Sequence, residues 1–187
     1  MMRIITGRAR GMKLETLEGE MTRPTSERAK MAIFSSLQFE LEGRQVLDLF
    51  AGSGQMGLEA VSRGAAYAVL VDQSKDAVNV IRKNAEKTRL EEDCTIVCSD
   101  FSEFLRQRRG REGFDLVFID PPYGMHACRA AVEALLDNRL LKPHGIVVLE
   151  SGEPDPLGVD SPLAAKFEVI KTARYGVAYV NILVSKK

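Results

Sequence analysis

The stretch "DLFAGSGQMG" (48–57) decides how this chain is read. It continues the apolar run "QVLDLF" (45–50) and leads into helix-forming residues, so it sits at a strand-to-helix turn. Gly52, Gly54 and Gly57 match G-x-G-x-x-G, and Asp72 ends the next apolar run about 20 residues further on. Taken alone, this spacing fits a dinucleotide seated over the first βα turn of a parallel sheet.

Working outward, further apolar runs lie at 66–72, 94–100, 114–120 and 145–150, separated by longer amphipathic stretches. That alternation is the pattern of βα units. In "SKDAVNVIRKNAEKTRL", Ser74 is placed as an N-cap, Asp76 suits the first turn, and Ala77, Ile81 and Ala85 fall on one stripe. "HACRAAVEALLDNRL" aligns Ala127, Ala131 and Leu135, with Pro143 just beyond its end. The tail "FEVIKTARYGVAYVNILVSKK" has two β-rich runs around Tyr175-Gly176 and no room for a crossover helix, so it must be an antiparallel hairpin. The expected fold is therefore α/β and Rossmann-like, a mostly parallel sheet of seven strands with a C-terminal antiparallel hairpin. Ahead of it, "RIITGRARGMKL" (3–14) reads as a small β-hairpin. "RPTSERAKMAIFSSLQF" reads as a helix begun at Pro24-Thr25, with Ala29, Ile33 and Leu37 inward. The expected division is an N-terminal extension over 1–42 and a core over 43–187.

At 187 residues and 45% hydrophobic content the chain holds one substantial core. Lys plus Arg and Asp plus Glu are 26 each, so a surface for nucleic acid has to be a local patch. Cys94, Cys98 and Cys128 lack the paired CxxC spacing of a zinc site and read as reduced, buried thiols. His126 and His144 are isolated and sit near helix ends, where capping is favoured over ligation; no metal is expected. No apolar leader follows Arg3 and no run approaches a membrane span, so a cytoplasmic protein without a membrane partner is expected.

Charge decides between ligands for the glycine loop. A pyrophosphate is an anion, whereas the methionine end of S-adenosylmethionine carries an ammonium and a sulfonium. Asp48, immediately before the loop, repels the first and attracts the second. One charge pair at ~4 Å and an effective dielectric of ~20 amounts to about 4 kcal/mol before desolvation, enough to change the preferred ligand. In that reading Gly52 and Gly54 admit the ligand closely, and Asp72 accepts from both ribose hydroxyls. Asp100 meets the adenine amine or caps the helix "FSEFLRQ", two compatible roles.

"FDLVFIDPPYG" (114–124) runs a strand into an acid, two prolines and an aromatic ring. In an open parallel sheet that strand end lies beside the donor loop. The exocyclic amine of a nucleobase is a poor nucleophile because its lone pair is delocalised. The Asp120 carboxylate and the Pro121 carbonyl supply two acceptors for its N–H groups and aim the lone pair at a methyl carbon. Pro121 and Pro122 fix the backbone, and Tyr123 offers a stacking face worth ~1–3 kcal/mol. Positive charge grows on the attacking nitrogen, so an anion already in place contributes most in the transition state.

With "RIITGRARG", "RPTSERAKMAIFSSL", "DLFAGSGQMGLEAVSRGA", "VDQS", "DPPY" and "VVLE" in this order, the chain resembles the RsmD family over nearly its whole length. These are bacterial methyltransferases that modify guanine N2 in 16S ribosomal RNA. The resemblance implies a class I S-adenosylmethionine-dependent methyltransferase whose N-terminal hairpin grips RNA. It puts Gly52 and Gly54 in the donor loop, Asp72 on the ribose, Asp100 near the adenine and Asp120 to Tyr123 around the target guanine. Arg23 and Thr25, from "RPT", would border the same pocket. The chain departs from the usual pattern at Gln55-Met56, where the family has small or apolar residues, and at Ala9, where a bulkier one is common.

Arg3, Arg8, Arg10 and Lys13 lie in a stretch without acids, which favours phosphate contacts. The run "RQRRGR" (106–111) is either a second phosphate contact or a solvated helix end. Glu150 either supports the pocket or merely ends its strand. A paired guanine has to be turned out to react, so a loop or loosely paired site of 16S ribosomal RNA, free or within an assembling or assembled small subunit, is the expected partner. The same clamp chemistry would also suit adenine N6 in nucleic acid or a protein glutamine. The glycines alone also leave room for a nicotinamide-dependent oxidoreductase or a noncatalytic nucleotide-binding module.

Overall fold

Alternating strands and helices build the sheet in the order β3-β2-β1-β4-β5-β7-β6. The elements are β1 (Gln45–Asp48), α2 (Gln55–Ser62), β2 (Tyr67–Asp72), α3 (Lys75–Thr88), β3 (Cys94–Cys98), α4 (Phe101–Gln107), β4 (Phe114–Ile119), α5 (Met125–Asp137), β5 (Leu141–Ser151), β6 (Phe167–Tyr175) and β7 (Ala178–Ser185), preceded by α1 (Pro24–Ser36). They belong to a computed structural model that describes residues 2–17, 24–121 and 125–186, without the side chains of 24–26 and 125–126. β1 to β5 pair in parallel, while β7 runs antiparallel to both β5 and β6.

Register explains the near-continuous apolar runs of the central strands. Leu47 lies between Val69 and Val117 on one face, whereas Val46, Leu70 and Leu116 supply the other. A strand covered by helices on both sides has no polar face to show. Ser74 caps α3 by accepting the Ala77 N–H at 3.3 Å, and Ala77, Ile81 and Ala85 are fully buried.

β1, β3 and β4 stop one or two residues before the sequence expectation, which leaves Phe50, Asp100 and Asp120 just beyond the strand ends. β5 instead begins at Leu141 rather than 145. Phe114 pairs with Leu141 but Leu116 with Ile146, and His144 takes φ 58° in the irregular stretch between them. His144 therefore lies within a strand, not at a helix end; the side chain of His126 is outside the described residues. The cysteines also differ from expectation. Cys128 is buried, but Cys94 is half-buried and Cys98 exposed at the edge strand, and all three are free thiols.

The N-terminal segment forms a hairpin-like arm with one bridge, Arg3 to Lys13, and flanking bonds from the Ile4 N–H to the Met12 carbonyl and the Leu14 N–H to the Met2 carbonyl. It lies along α2. Glu59, fully buried on that helix, accepts the Ile5 and Thr6 N–H groups at 2.7 and 3.0 Å, Arg63 Nε at 2.7 Å, and the Lys30 ammonium of α1 at 3.1 Å. Ala29, Ile33 and Leu37 are buried as expected, and Phe34 meets Phe118 with ring centroids 5.7 Å apart. Met2, Ile4 and Leu14 join the same apolar cluster, so the extension shares a core with one face of the sheet.

Candidate active site

At the carboxyl ends of the parallel strands lies a cavity of about 660 Å³. Asp48, Gly52, Asp72, Asp100, Asp120 and Pro121 all line it, although 73 positions separate the first from the last. The sheet does this by ending β1, β2 and β4 side by side, with β3 beyond β2. Backbone bonds tie these ends together, from the Leu49 N–H to the Phe118 carbonyl, from Ala51 to Val71, and from Ser99 to Asp72.

Asp72 is half-exposed, and both its oxygens are in use. Oδ2 accepts the Gly52 N–H at 2.9 Å and Oδ1 accepts the Ser74 N–H at 2.8 Å. Each oxygen keeps lone-pair capacity for a ligand hydroxyl. Asp48 is 2% exposed, and its Oδ2 accepts the Gly57 N–H at 3.0 Å. Burial, assisted by the nearby Asp72 charge, pushes its carboxyl up to about 7 against the pull of backbone donors at Gly57 and Phe50. An approaching cation would restore its negative charge.

Asp100 caps α4, accepting the Ser102 N–H at 2.9 Å, the Glu103 N–H at 3.3 Å and the Ser102 hydroxyl at 2.5 Å; these bonds hold its carboxyl below the usual range. Capping is thus a fact, and its place in the cavity wall leaves the adenine role compatible with it. Gly54 does not line the cavity. At φ 80° it begins α2, and a Cβ there would press on Ile81 and Leu70 at 3.1–3.2 Å, so its smallness serves helix-on-sheet packing.

Asp120 is exposed at the end of β4, and Pro121 is half-buried beside it. Burial, with the Asp120 charge adding to it, pushes the Cys128 thiol up to about 12, so this sulfur stays protonated and is no nucleophile at neutral pH. Cys128 Sγ lies 3.5 Å from the Glu150 carbonyl, and burial raises the Glu150 carboxyl. Pro122 and Tyr123 lie outside the described residues, as do Arg23 and the side chain of Thr25.

The basic residues of the arm divide into two groups. Arg3 and Lys13 are exposed next to Met2 and Leu14, nearer the cavity. Arg8 and Arg10 are exposed at the tip, where the Arg8 N–H donates to the Ser62 carbonyl at the far end of α2 and its guanidinium pairs with Asp93. In the run 106–111, Arg106 is bound by Glu103, and Arg108 lies over the rings of Phe104 and Phe114. Two cavity features escaped the sequence reading. Phe50 and Phe101 meet at 5.2 Å, and Met2 and Leu17 add a wall from the N-terminal segment. The two phenylalanines each follow a strand-end acid closely, a local signal; the arm's contribution has none.

The family described as conserved hypothetical protein 95 matches residues 2–184. A Haemophilus influenzae protein named ribosomal RNA small subunit methyltransferase D is 35% identical over 83% of this chain and 81% of its own. The chain belongs to the RsmD family. Its Escherichia coli strain K12 relative of the same name is 34% identical over 80% of this chain and 74% of that one. A solved structure, a putative methyltransferase yhhF from Escherichia coli, superposes with a TM-score of 0.85 at 29% identity, covering 99% and 98% of the two chains. Family membership and superposition agree with the seven-stranded α/β architecture of this chain. Among the described residues, no helix is long and apolar enough to cross a membrane and no group of acidic, His or Cys side chains could hold a metal.

Proposed function

We propose that this RsmD-family chain transfers a methyl group from S-adenosylmethionine to the exocyclic N2 amine of a guanine in 16S ribosomal RNA. One observation carries the reading: four donor-type positions, Asp48, Gly52, Asp72 and Asp100, share a single cavity with Asp120 and Pro121 of "DPPY". A cavity of about 660 Å³ lined by four carboxylates together with apolar and aromatic side chains suits an elongated cation carrying a ribose and a flat base.

The donor fits the residues present. Asp48 faces its ammonium, Asp72 its ribose hydroxyls, and Asp100 with Phe101 its adenine. When bound, it supplies an electrophilic methyl group on sulfonium. Asp120 and the Pro121 carbonyl accept the N–H groups of the guanine amine and hold its lone pair toward the donor. As the nitrogen becomes cationic, the Asp120 carboxylate stabilises it in a partly desolvated site. The proton then leaves to Asp120 or water. Tyr123 stacks on the base, and Arg23 and Thr25 border it. Arg3 and Lys13 take phosphates near the cavity, and Arg8 and Arg10 take phosphates further along the arm, so the RNA runs beside α2.

The test is transfer of labelled methyl to small-subunit ribosomal RNA, free and in assembling particles, with the modified base mapped. Label on guanine N2, abolished by Asp120→Ala while S-adenosylhomocysteine still binds, is the expected result. Label confined to adenine or to protein overturns the acceptor, and a fully active Asp120→Ala enzyme overturns the clamp.

A further inference from the structure

Asn84 is a fully buried carboxamide in the middle of α3, a helix whose other inward residues are apolar or close its C-terminal turn. Its Oδ1 accepts the Glu15 N–H at 2.7 Å, and its Nδ2 donates to the Glu15 carbonyl at 3.0 Å and to the Ser53 carbonyl at 2.9 Å. Toward Glu15 it therefore acts as a substitute strand partner, satisfying both backbone groups of one residue. Toward Ser53 it holds the middle of the glycine loop. One side chain joins two segments that are 38 positions apart in sequence.

The joined segments both face the cavity. Leu17, two residues after Glu15, lines it, and so does Met2, whose carbonyl accepts the Leu14 N–H at 3.0 Å. Met2 Sδ in turn receives the Ser53 hydroxyl at 3.0 Å. The tip of the arm is anchored elsewhere, by Glu59 to Ile5 and Thr6 and by Ser62 to Thr6 and Ala9. Tip and cavity end thus have separate fastenings.

We propose that Asn84 is a positioning residue that makes the N-terminal arm part of the donor pocket, by fixing the Met2–Leu17 wall to the glycine loop. The proposal rests on the donor reading given above. Its consequence is reciprocal: ligand in the pocket tightens residues 14–17, and whatever draws the arm away weakens the ligand by the same factor. An RNA held on Arg3 and Lys13 acts on donor affinity through this link.

Asn84→Asp keeps the size and the acceptor but replaces the two donated hydrogen bonds with a charged oxygen facing two carbonyls. Calorimetry with S-adenosylhomocysteine is expected to give binding weakened by about tenfold or more, the loss of one to two good hydrogen bonds. In the wild type, the same ligand slows amide hydrogen exchange across residues 14–17 by about fivefold or more and leaves Ile5 and Thr6 unchanged. The second measurement needs no variant and stands if Asn84→Asp fails to fold. Equal affinity in a folded Asn84→Asp protein, or exchange at 14–17 that ignores the ligand, overturns the proposal alone. A wild type that binds no S-adenosylhomocysteine overturns the donor reading, and the proposal with it.

Discussion

Asp48 and Asp72 grip opposite ends of the glycine loop: Asp48 Oδ2 accepts the Gly57 N–H at 3.0 Å, and Asp72 Oδ2 accepts the Gly52 N–H at 2.9 Å. The loop is thereby shaped before any ligand arrives. Each acid has a structural bond to keep and, in the proposed reading, a ligand to meet, so substitutions at the two positions are expected to separate those duties differently.

At Asp48 the structural duty is costly. Burial raises the folded carboxyl from 3.8 to about 7, so between those values the native state binds the proton more tightly than the unfolded chain. The contribution is therefore largest below about pH 4 and is lost as pH rises toward 7. Asp48→Asn avoids this loss, because the carboxamide keeps an acceptor for the Gly57 N–H without a charge to desolvate. The variant is expected to gain on the wild type by up to about 4 kcal/mol between pH 4 and pH 8, while binding S-adenosylmethionine more weakly for want of an anion. Urea melts at the two pH values check the first part and calorimetry the second. A stability difference that does not grow with pH contradicts the assignment.

Asp72 carries the opposite balance. It is half-exposed and holds both Gly52 and Ser74, so Asp72→Ala frees the start of the loop and the entry to α3 at once. Donor affinity is expected to fall by more than about tenfold, since the two proposed ribose bonds and the loop's preorganisation go together. Asp72→Asn, which retains one acceptor oxygen, should lie between. Calorimetry on the three proteins orders them.

The parts of the site that were legible in the sequence are those whose signal is local. Asp48, Asp72 and Asp120 sit at or next to strand ends, and strand ends in a parallel sheet converge whatever the loops do. Gly54 has a second role that its spacing does not reveal, because the contacts that exclude a Cβ there come from Ile81 and Leu70 on other elements. Asn84 and Glu59 were invisible for a related reason. A polar residue on a helix stripe reads as an exposed position until the backbone groups it satisfies, Glu15 and Ser53 or Ile5 and Thr6, have been brought to it by the fold. The early start of β5 was hidden by Pro143, which reads as a break but lies in an irregular stretch of the strand.

Gly7 tests whether the tip of the arm matters independently of its cavity end. It takes φ 87°, and a Cβ there would lie 1.7 Å from the Ser62 carbonyl oxygen, a backbone atom that cannot swing aside. Gly7→Ala is expected to destabilise by more than about 1 kcal/mol and to undock Arg8 from the end of α2, moving the tip that also carries Arg10. Transfer to RNA should fall, with S-adenosylhomocysteine affinity within about twofold of wild type, because Asn84 still holds residues 14–17. Loss of affinity as large as that in Asn84→Asp would mean that tip and cavity end move as one.

Glu59 is the point on which arm, α1 and α2 all depend, and its replacement has a pH signature. Glu59→Gln leaves at most one carbonyl oxygen where four donors now converge, from Ile5, Thr6, Lys30 and Arg63. Lys30, 3% exposed, then loses its bonded counterion and keeps only the weaker pull of Glu27; burial already lowers its affinity for a proton with Glu59 present. Removing one partner of a buried pair costs about 3–5 kcal/mol, or a fall in Tm of about 6–20 °C for a chain of this length. A base whose folded pKa is depressed binds fewer protons in the native state, so stability rises with pH through the alkaline range. The deficit of Glu59→Gln is therefore expected to shrink on going from pH 7 to pH 10, as Lys30 discharges, and adding Lys30→Met should remove that pH dependence. Melts of the single and double variants decide it. A deficit constant across that range would place the cost in the lost Ile5 and Thr6 bonds instead of in the stranded ammonium.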